Sequence, residues 1–198
     1  MLPKRRLKGL NRFLASEQGF TLIEMIVTMA IMGIVAAMAI PNFSKWKEKH
    51  EINGEAQKVY FDMMLARTTA IKSNNNVRVT FDLVANTYQI HEDTNDDTVV
   101  DAGENLKNAT LVNNVQFAYN AGLTDTDGNN VTSAVSFGGG PLVVFDSRGQ
   151  ASSSGSVFLL HQSDIGINND RARSITILQA TGGVDYWTYS AADNPPWK

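Results

Sequence analysis

The sequence predicts an α+β fold, with one long N-terminal helix packed on a C-terminal antiparallel β head. Three observations carry this. Phe20 to Ile40 is an apolar run of 21 residues in which only Glu24 is charged. Apolar residues then recur at helical spacing to about Lys72. Beyond it come short stretches that alternate apolar and polar, separated by Gly, Asn, Asp and Ser clusters. A helix followed by a run of strands is the α+β pattern.

The first half of the helix has membrane length. As a helix, 21 residues span about 31 Å, the thickness of a bilayer core. The net charge of −3 hides an asymmetry, because residues 1–19 carry Lys4, Arg5, Arg6, Lys8 and Arg12 against Glu17 alone. A basic head before an apolar run places that head in the cytoplasm and the bulk of the chain across the membrane. An ordinary secretory signal has an apolar region of about 7–15 residues, shorter than this one, although Ala37 and Ala39 offer an Ala-x-Ala cleavage pattern. A plain single-span anchor explains everything except Glu24 and the glycine five residues before it. A carboxylate deep in a bilayer costs about 2.5–3.5 kcal/mol, and the segment holds no partner for it. A cut after Gly19 would create one: the new amine on Phe20, one helical turn from Glu24.

The second half continues past Pro41, which has no amide hydrogen and is expected to bend the helix. Phe43, Trp46, Ala56, Val59, Tyr60, Met63, Ala66 and Ala70 form the expected packing face, and Lys45 to Glu51 form a charged section between membrane and head. Ser73 to Asn76 reads SNNN and should end the helix, since asparagine tolerates left-handed turns. The division is then a basic leader at 1–19, a transmembrane helix at 20–40, its amphipathic continuation at 41–72 and a β head at 73–198. Strands are expected at Val77–Leu83, Thr87–His91, Asn114–Tyr119, Leu142–Phe145, Ser156–His161, Ser174–Gln179 and Val184–Tyr189.

The residues Gly19 to Glu24, GFTLIE, stand behind a basic leader and ahead of an apolar helix. They resemble the class III signal of type IV pilins and type II secretion pseudopilins. FDSRGQASSSGSVFLL (Phe145–Leu160) and RARSITILQATGGVDYW (Arg171–Trp187) are similar to the C-terminal signature of the GspH/FimT branch of that superfamily. The resemblance implies a minor pilin or pseudopilin, not an enzyme, with no required cofactor. It implies cleavage between Gly19 and Phe20 by a prepilin peptidase and methylation of the Phe20 amine. It further implies pairing of Glu24 with a neighbouring subunit's N-terminal amine, and Pro41 matches the family's proline. The implied partners are other pilin-like subunits, the peptidase and an inner-membrane assembly platform, with the head in the periplasm. The alternative that the branch offers is a DNA-binding competence pilin.

Two further features bear on chemistry. Asp93, Asn95, Asp97, Val99, Asp101 and Glu104 fall at positions 1, 3, 5, 7, 9 and 12 of a loop, the oxygen-ligand spacing of a calcium loop. They are candidate ligands for a structural Ca²⁺, although Thr98 stands where such loops have glycine. The plainer reading is a solvated acidic loop. Arg171 and Arg173 are candidate phosphate contacts for DNA, against an acidic head that speaks against nucleic acid. The chain has no cysteine, and its three histidines have no metal-ligand spacing. No nucleophile elbow or phosphate-binding glycine loop is present, so catalysis has no sequence support.

Overall fold

A computed structural model describes residues 19–198. Expectations about the basic leader upstream of Gly19 lie outside the described residues. The chain divides into two units, one ending at Phe43 and one running Ser44–Lys198. Helix α1 is assigned as one element, Leu22–Ser73, without a break at Pro41.

In the second unit, α1 buries Ile52, Ala56, Val59, Met63, Ala66 and Ala70. These positions step by four and three residues in alternation, so they lie along one face. Phe43 and Trp46 are not on that buried face. They are about 60% exposed (62% and 61%), and the packed stripe begins at Ile52. The helix ends as SNNN predicts, because Asn74 adopts φ +57°, the left-handed cap conformation.

Nine strands follow: β1 (Asn76–Asp82), β2 (Thr87–Asp93), β3 (Asn105–Thr110), β4 (Val115–Phe117), β5 (Val135–Phe137), β6 (Leu142–Phe145), β7 (Gly155–His161), β8 (Arg173–Ile177) and β9 (Val184–Thr188). The first sheet has the order β3-β2-β1-β6 and the second β4-β7-β8-β9, all antiparallel, with β5 also on β7. β4 and β5 pair with different ends of β7. In the β1–β2 turn the Asp82 carboxylate accepts the Val84 and Ala85 N–H groups at 2.9 Å each, and Asn86 takes φ +53°.

Strands β3 and β5 are absent from the sequence expectation. β3 reads NLKNAT and lacks the β-branched alternation that marks a strand. β5 is only three residues long. Both exist because a neighbouring strand supplies the pairing edge.

One core joins the α1 stripe to Val77, Val79 and Phe81 of β1, Tyr88 and Ile90 of β2, Val143 and Phe145 of β6, Val157 and Leu159 of β7, and Ile175 and Ile177 of β8. A second, smaller core lies on the other side of β7, where Phe158 and Leu160 meet Leu123, Ala172 and Trp197. That explains why β7 reads as a continuous apolar run: it is buried on both faces. The Trp197 ring lies 6.0 Å from Phe158 and 5.0 Å from Tyr189, centroid to centroid, and its Nε1–H donates to the Thr124 carbonyl at 2.7 Å.

Polar contacts pin α1 to the sheets at three levels. Asp62, 5% exposed, accepts from the Tyr88 hydroxyl at 2.5 Å and pairs with Lys107 of β3 at 2.6 Å. Lys58 reaches the Thr110 carbonyl at 3.0 Å. Arg67 donates to the Gly149 carbonyl at 3.0 Å and the Thr181 carbonyl at 2.8 Å, tying together the β6–β7 and β8–β9 turns.

The two glycines at that junction have no tolerance for a side chain. Gly149 sits at φ +77°, and an added Cβ would come within 2.6 Å of Ile71 Cδ1. Gly182 sits at φ +58°, and an added Cβ would lie 1.9 Å from the Gly149 carbonyl oxygen. Left-handed strain and backbone overlap therefore add at Gly182, and Gly182→Ala should destabilise the head by about 2–4 kcal/mol. Met63→Ala, which empties a fully buried site, should cost about 2–5 kcal/mol. Thermal denaturation followed by the β-sheet circular dichroism signal checks both, and an unchanged melting temperature in Gly182→Ala would contradict the packing described.

Candidate assembly site

In the N-terminal unit, α1 opens with a helix cap. Thr21 Oγ1 accepts the Glu24 N–H at 3.2 Å, and the Thr21 carbonyl accepts the Met25 N–H at 3.2 Å. Thr21 and Glu24 thus stand at capping-box spacing, an Ncap hydroxyl three residues before a glutamate. The sequence reading of Glu24 did not include this. The pattern T-x-x-E was its only signal, and it was masked by the stronger glycine-to-glutamate motif.

From Phe20 to Ile40 every side chain is exposed, including Phe20 at 78% and Leu22 at 77%. The helix is long and apolar enough to cross a membrane, by length and composition. So large an unburied apolar surface needs a lipid or protein environment. Among the described residues, the Glu24 carboxylate has no charged partner. Near Pro41, Asn42 Nδ2 donates to the Met38 carbonyl at 3.1 Å.

The two arginines that were candidate phosphate contacts are engaged within the head, by Asp164 and by residues of α1. Arg171 forms a fork with Asp164, Nε to Oδ2 at 2.7 Å and Nη2 to Oδ1 at 2.6 Å, and a further bond to Glu48 of α1. The hydrogen bonds that Arg171 donates to Asp164, against the opposing effect of burial, hold its guanidinium above its ordinary pKa. Arg173, 3% exposed, donates to Asn53 Oδ1 at 2.8 Å and to the Arg171 and Ala172 carbonyls at 3.0 and 2.8 Å. Beside them His161 Nε2 lies 3.4 Å from Glu51 Oε2. Glu48, Glu51 and Asn53 therefore anchor the α1 segment that opens the second unit. Their partners lie more than 100 residues away, so the sequence held no signal for the pairing.

The Asp93–Glu104 loop satisfies its own carboxylates. Asp93 is 2% exposed and pairs with Arg78 Nε at 2.6 Å. Its oxygens also accept the Asp97 and Thr98 N–H groups at 3.1 and 3.2 Å. Burial alone would raise the Asp93 pKa, but the Arg78 hydrogen bond and charge outweigh it and hold the carboxyl below its usual range. Glu104 accepts from the Thr94 hydroxyl and N–H and from the Asp101 N–H, which likewise lower its pKa. Asn95 Nδ2 donates to Asp97 and Asp101 at 2.9 and 3.0 Å, and Val99 N–H to Asp97 at 2.8 Å. Thr98 takes φ +71°, the turn a calcium loop assigns to glycine. Even so, among the described residues no group of three or more His, Asp or Glu side chains is arranged to hold a metal. As placed, the first of the six candidate ligands, Asp93, is paired with Arg78.

The C-terminal signature has a structural role. Asp146 Oδ1 accepts the Arg148 and Gln150 N–H groups at 2.9 Å each and closes the turn that presents the Gly149 carbonyl to Arg67.

Comparison with known proteins agrees at both ends. The sequence model of the family described as Type II transport protein GspH matches residues 55–182, and that of the Prokaryotic N-terminal methylation motif matches residues 14–40. The Type IV major pilin protein PilA of Myxococcus xanthus is 51% identical over 39 residues, which are 20% of this chain and 18% of that protein. The chain thus matches less than a fifth of this curated relative's length. Among solved structures, the minor pseudopilin EpsH from the Type 2 Secretion System of Vibrio cholerae is similar at 17% identity and a TM-score of 0.48, over 70% of this chain and 97% of that one. The type IV minor pilin FimU of Pseudomonas aeruginosa is similar at 12% identity and a TM-score of 0.46, over 75% and 95%. Because the family model spans well over half of the chain and includes the Arg67–Gly149–Gly182 junction, the chain belongs to the GspH family of type II transport proteins.

Proposed function

We propose that this protein is a minor subunit of a pseudopilus or type IV pilus, made as a precursor and built into a helical filament through its N-terminal helix. The observation that carries this reading is the methylation-motif match on a helix whose apolar side chains from Phe20 to Ile40 are all exposed. A prepilin peptidase cuts between Gly19 and Phe20 and methylates the new amine. The head lies on the periplasmic side, and the apolar helix stays attached because the cut is on its cytoplasmic side. Neighbouring pilin-like subunits, brought together at an inner-membrane assembly platform, bury the Phe20–Ile40 surface against one another. Glu24 then pairs with the Phe20 amine of the next subunit. In an apolar filament core that pair neutralises two charges at once, and its removal on one side leaves the other buried alone. Open helical assembly requires such heterologous contacts.

We also infer that the Asp93–Glu104 loop folds without a cation. Arg78 supplies the positive charge, and backbone N–H groups supply the donors, that a metal would otherwise replace.

Mass spectrometry of protein from cells holding the peptidase should find an N-terminus at Phe20 carrying one methyl group. An intact Met1, or a cut near Ala39, would overturn the reading. Glu24→Gln separates pairing from capping, since glutamine keeps the capping-box acceptor but loses the charge. It should leave membrane insertion unchanged and cut filament incorporation by about tenfold or more, as expected from the loss of at least about 1.4 kcal/mol at each subunit contact. Normal incorporation would mean that Glu24 serves only the helix end.

For the loop, the head's melting temperature should be the same in excess Ca²⁺ and in chelator. Acid should act differently. Asp93 and Glu104 have lowered folded pKa values, so their stabilisation is complete above the unfolded carboxylate values of about 4 and is lost as pH falls through the folded ones. Arg78→Ala should remove the Asp93 share of that acid dependence and leave the Glu104 share, as read from melting temperatures across pH 2–6.

A further inference from the structure

The outer face of the second sheet carries an open groove of about 540 Å³ that the assembly chemistry does not use. Its floor is a rank of side chains in direct register across four strands: Ser136 of β5, Ser156 of β7, Thr176 of β8 and Asp185 of β9. At about 4.8 Å between neighbouring strands, such a rank is about 14 Å long, the reach of four extended residues. One side is lined by the loop holding Asp125 and Asp127, and another by the rings of Phe158 and Trp187. The Trp187 indole is fixed by its Nε1–H, which donates to Thr176 Oγ1 at 2.9 Å.

The charge of the groove is one-sided. Asp125, Asp127 and Asp185 line it, and no Lys, Arg or His does. Asp125 is used within its own loop, where it accepts the Asp127 and Asn129 N–H groups at 3.0 and 2.8 Å. Asp127 and Asp185 are exposed, and among the described residues their carboxylates have no partner. Among the described residues the hydroxyls of exposed Ser136 and half-buried Ser156 also have no partner. The surrounding unit is also acidic, with 12 Lys and Arg against 18 Asp and Glu over residues 44–198. Nucleic acid and other anions are repelled from such a surface.

We propose that this groove binds a basic, extended peptide segment of a partner protein, one that carries Lys or Arg. The free carboxylates of Asp127 at one side and Asp185 at the end of the floor meet the cationic heads, the hydroxyl rank bonds to the peptide backbone, and Trp187 covers an aliphatic stem or faces a cation. Most of the groove lies within the region that the family model matches, and Asp185 and Trp187 lie just beyond it. It uses nothing between Phe20 and Phe43, and filament assembly and groove binding can fail separately.

The full-length chain in a polyoxyethylene detergent can be titrated with a fluorescein-labelled octapeptide of alternating Lys and Thr. An alternating Glu and Thr peptide and maltohexaose serve as the other probes. The basic peptide should bind, weaken as salt is raised, and change Trp187 emission. Asp127→Asn with Asp185→Asn should weaken it about tenfold, the sum of two exposed charge contacts. Ser156→Arg, which places a cation on the groove floor, should abolish it while the melting temperature stays within a few degrees. Equal affinity for the acidic peptide, unchanged affinity in the double variant, or salt-independent binding of maltohexaose in place of the peptide would each overturn the proposal.

Discussion

The head depends on how closely α1 can approach two sheets at once. Its buried stripe holds nothing bulkier than Met63 and Ile52, and half of it is alanine: Ala56, Ala66 and Ala70. Small residues let the helix backbone settle onto the strands, and the strands provide the bulk from their side through Phe81, Tyr88 and Phe145. This large-against-small complementarity is what fills a core to native density. Because β1, β2, β6, β7 and β8 all contribute to the same cluster, neither sheet has an adequate core without the helix.

Apolar packing fixes the face of the helix but not its position along the sheets, since the stripe repeats every few residues. Polar contacts remove that ambiguity. Asp62 meets Tyr88 and Lys107, Arg67 meets two turn carbonyls, and Glu48 meets Arg171. Each is buried or half-buried and specific for one register, and sliding the helix by one turn would strand all of them. A buried ion pair contributes little net stability but penalises every arrangement that breaks it. The glycines of the C-terminal signature belong to the same device. Gly149 and Gly182 are small so that one turn can lie against the other beneath Arg67.

Much of the candidate site was legible because it is local. Gly19, Phe20 and Glu24 lie within one short stretch, and a charge in an apolar run is visible without any fold. The helix stop at SNNN and the β1–β2 turn were legible for the same reason: left-handed asparagines and an aspartate accepting from the next residues are short-range effects. What was not legible depended on distant partners. Phe43 and Trp46 fit a helical pattern, yet both stay largely exposed and the buried stripe begins at Ile52. Arg171 and Arg173 looked free until Glu48, Asn53 and Asp164 were brought to them. The acidic loop has calcium spacing, yet spacing does not reveal that Arg78, on the paired strand, pairs with Asp93.

The sequence by itself determined the order of the architecture, one long helix and then antiparallel strands, together with the processing motif and the membrane-length run. These follow from periodicity, hydrophobicity and residue chemistry over windows of a few to twenty residues. Only the tertiary structure decided which charges are spent and which stay free. Arg171 and Asp93 are consumed, while Asp127 and Asp185 are left facing a groove. The physical reason is that a side chain's availability is set by what folds against it, and for these residues the partner, or its absence, comes from a different strand or turn.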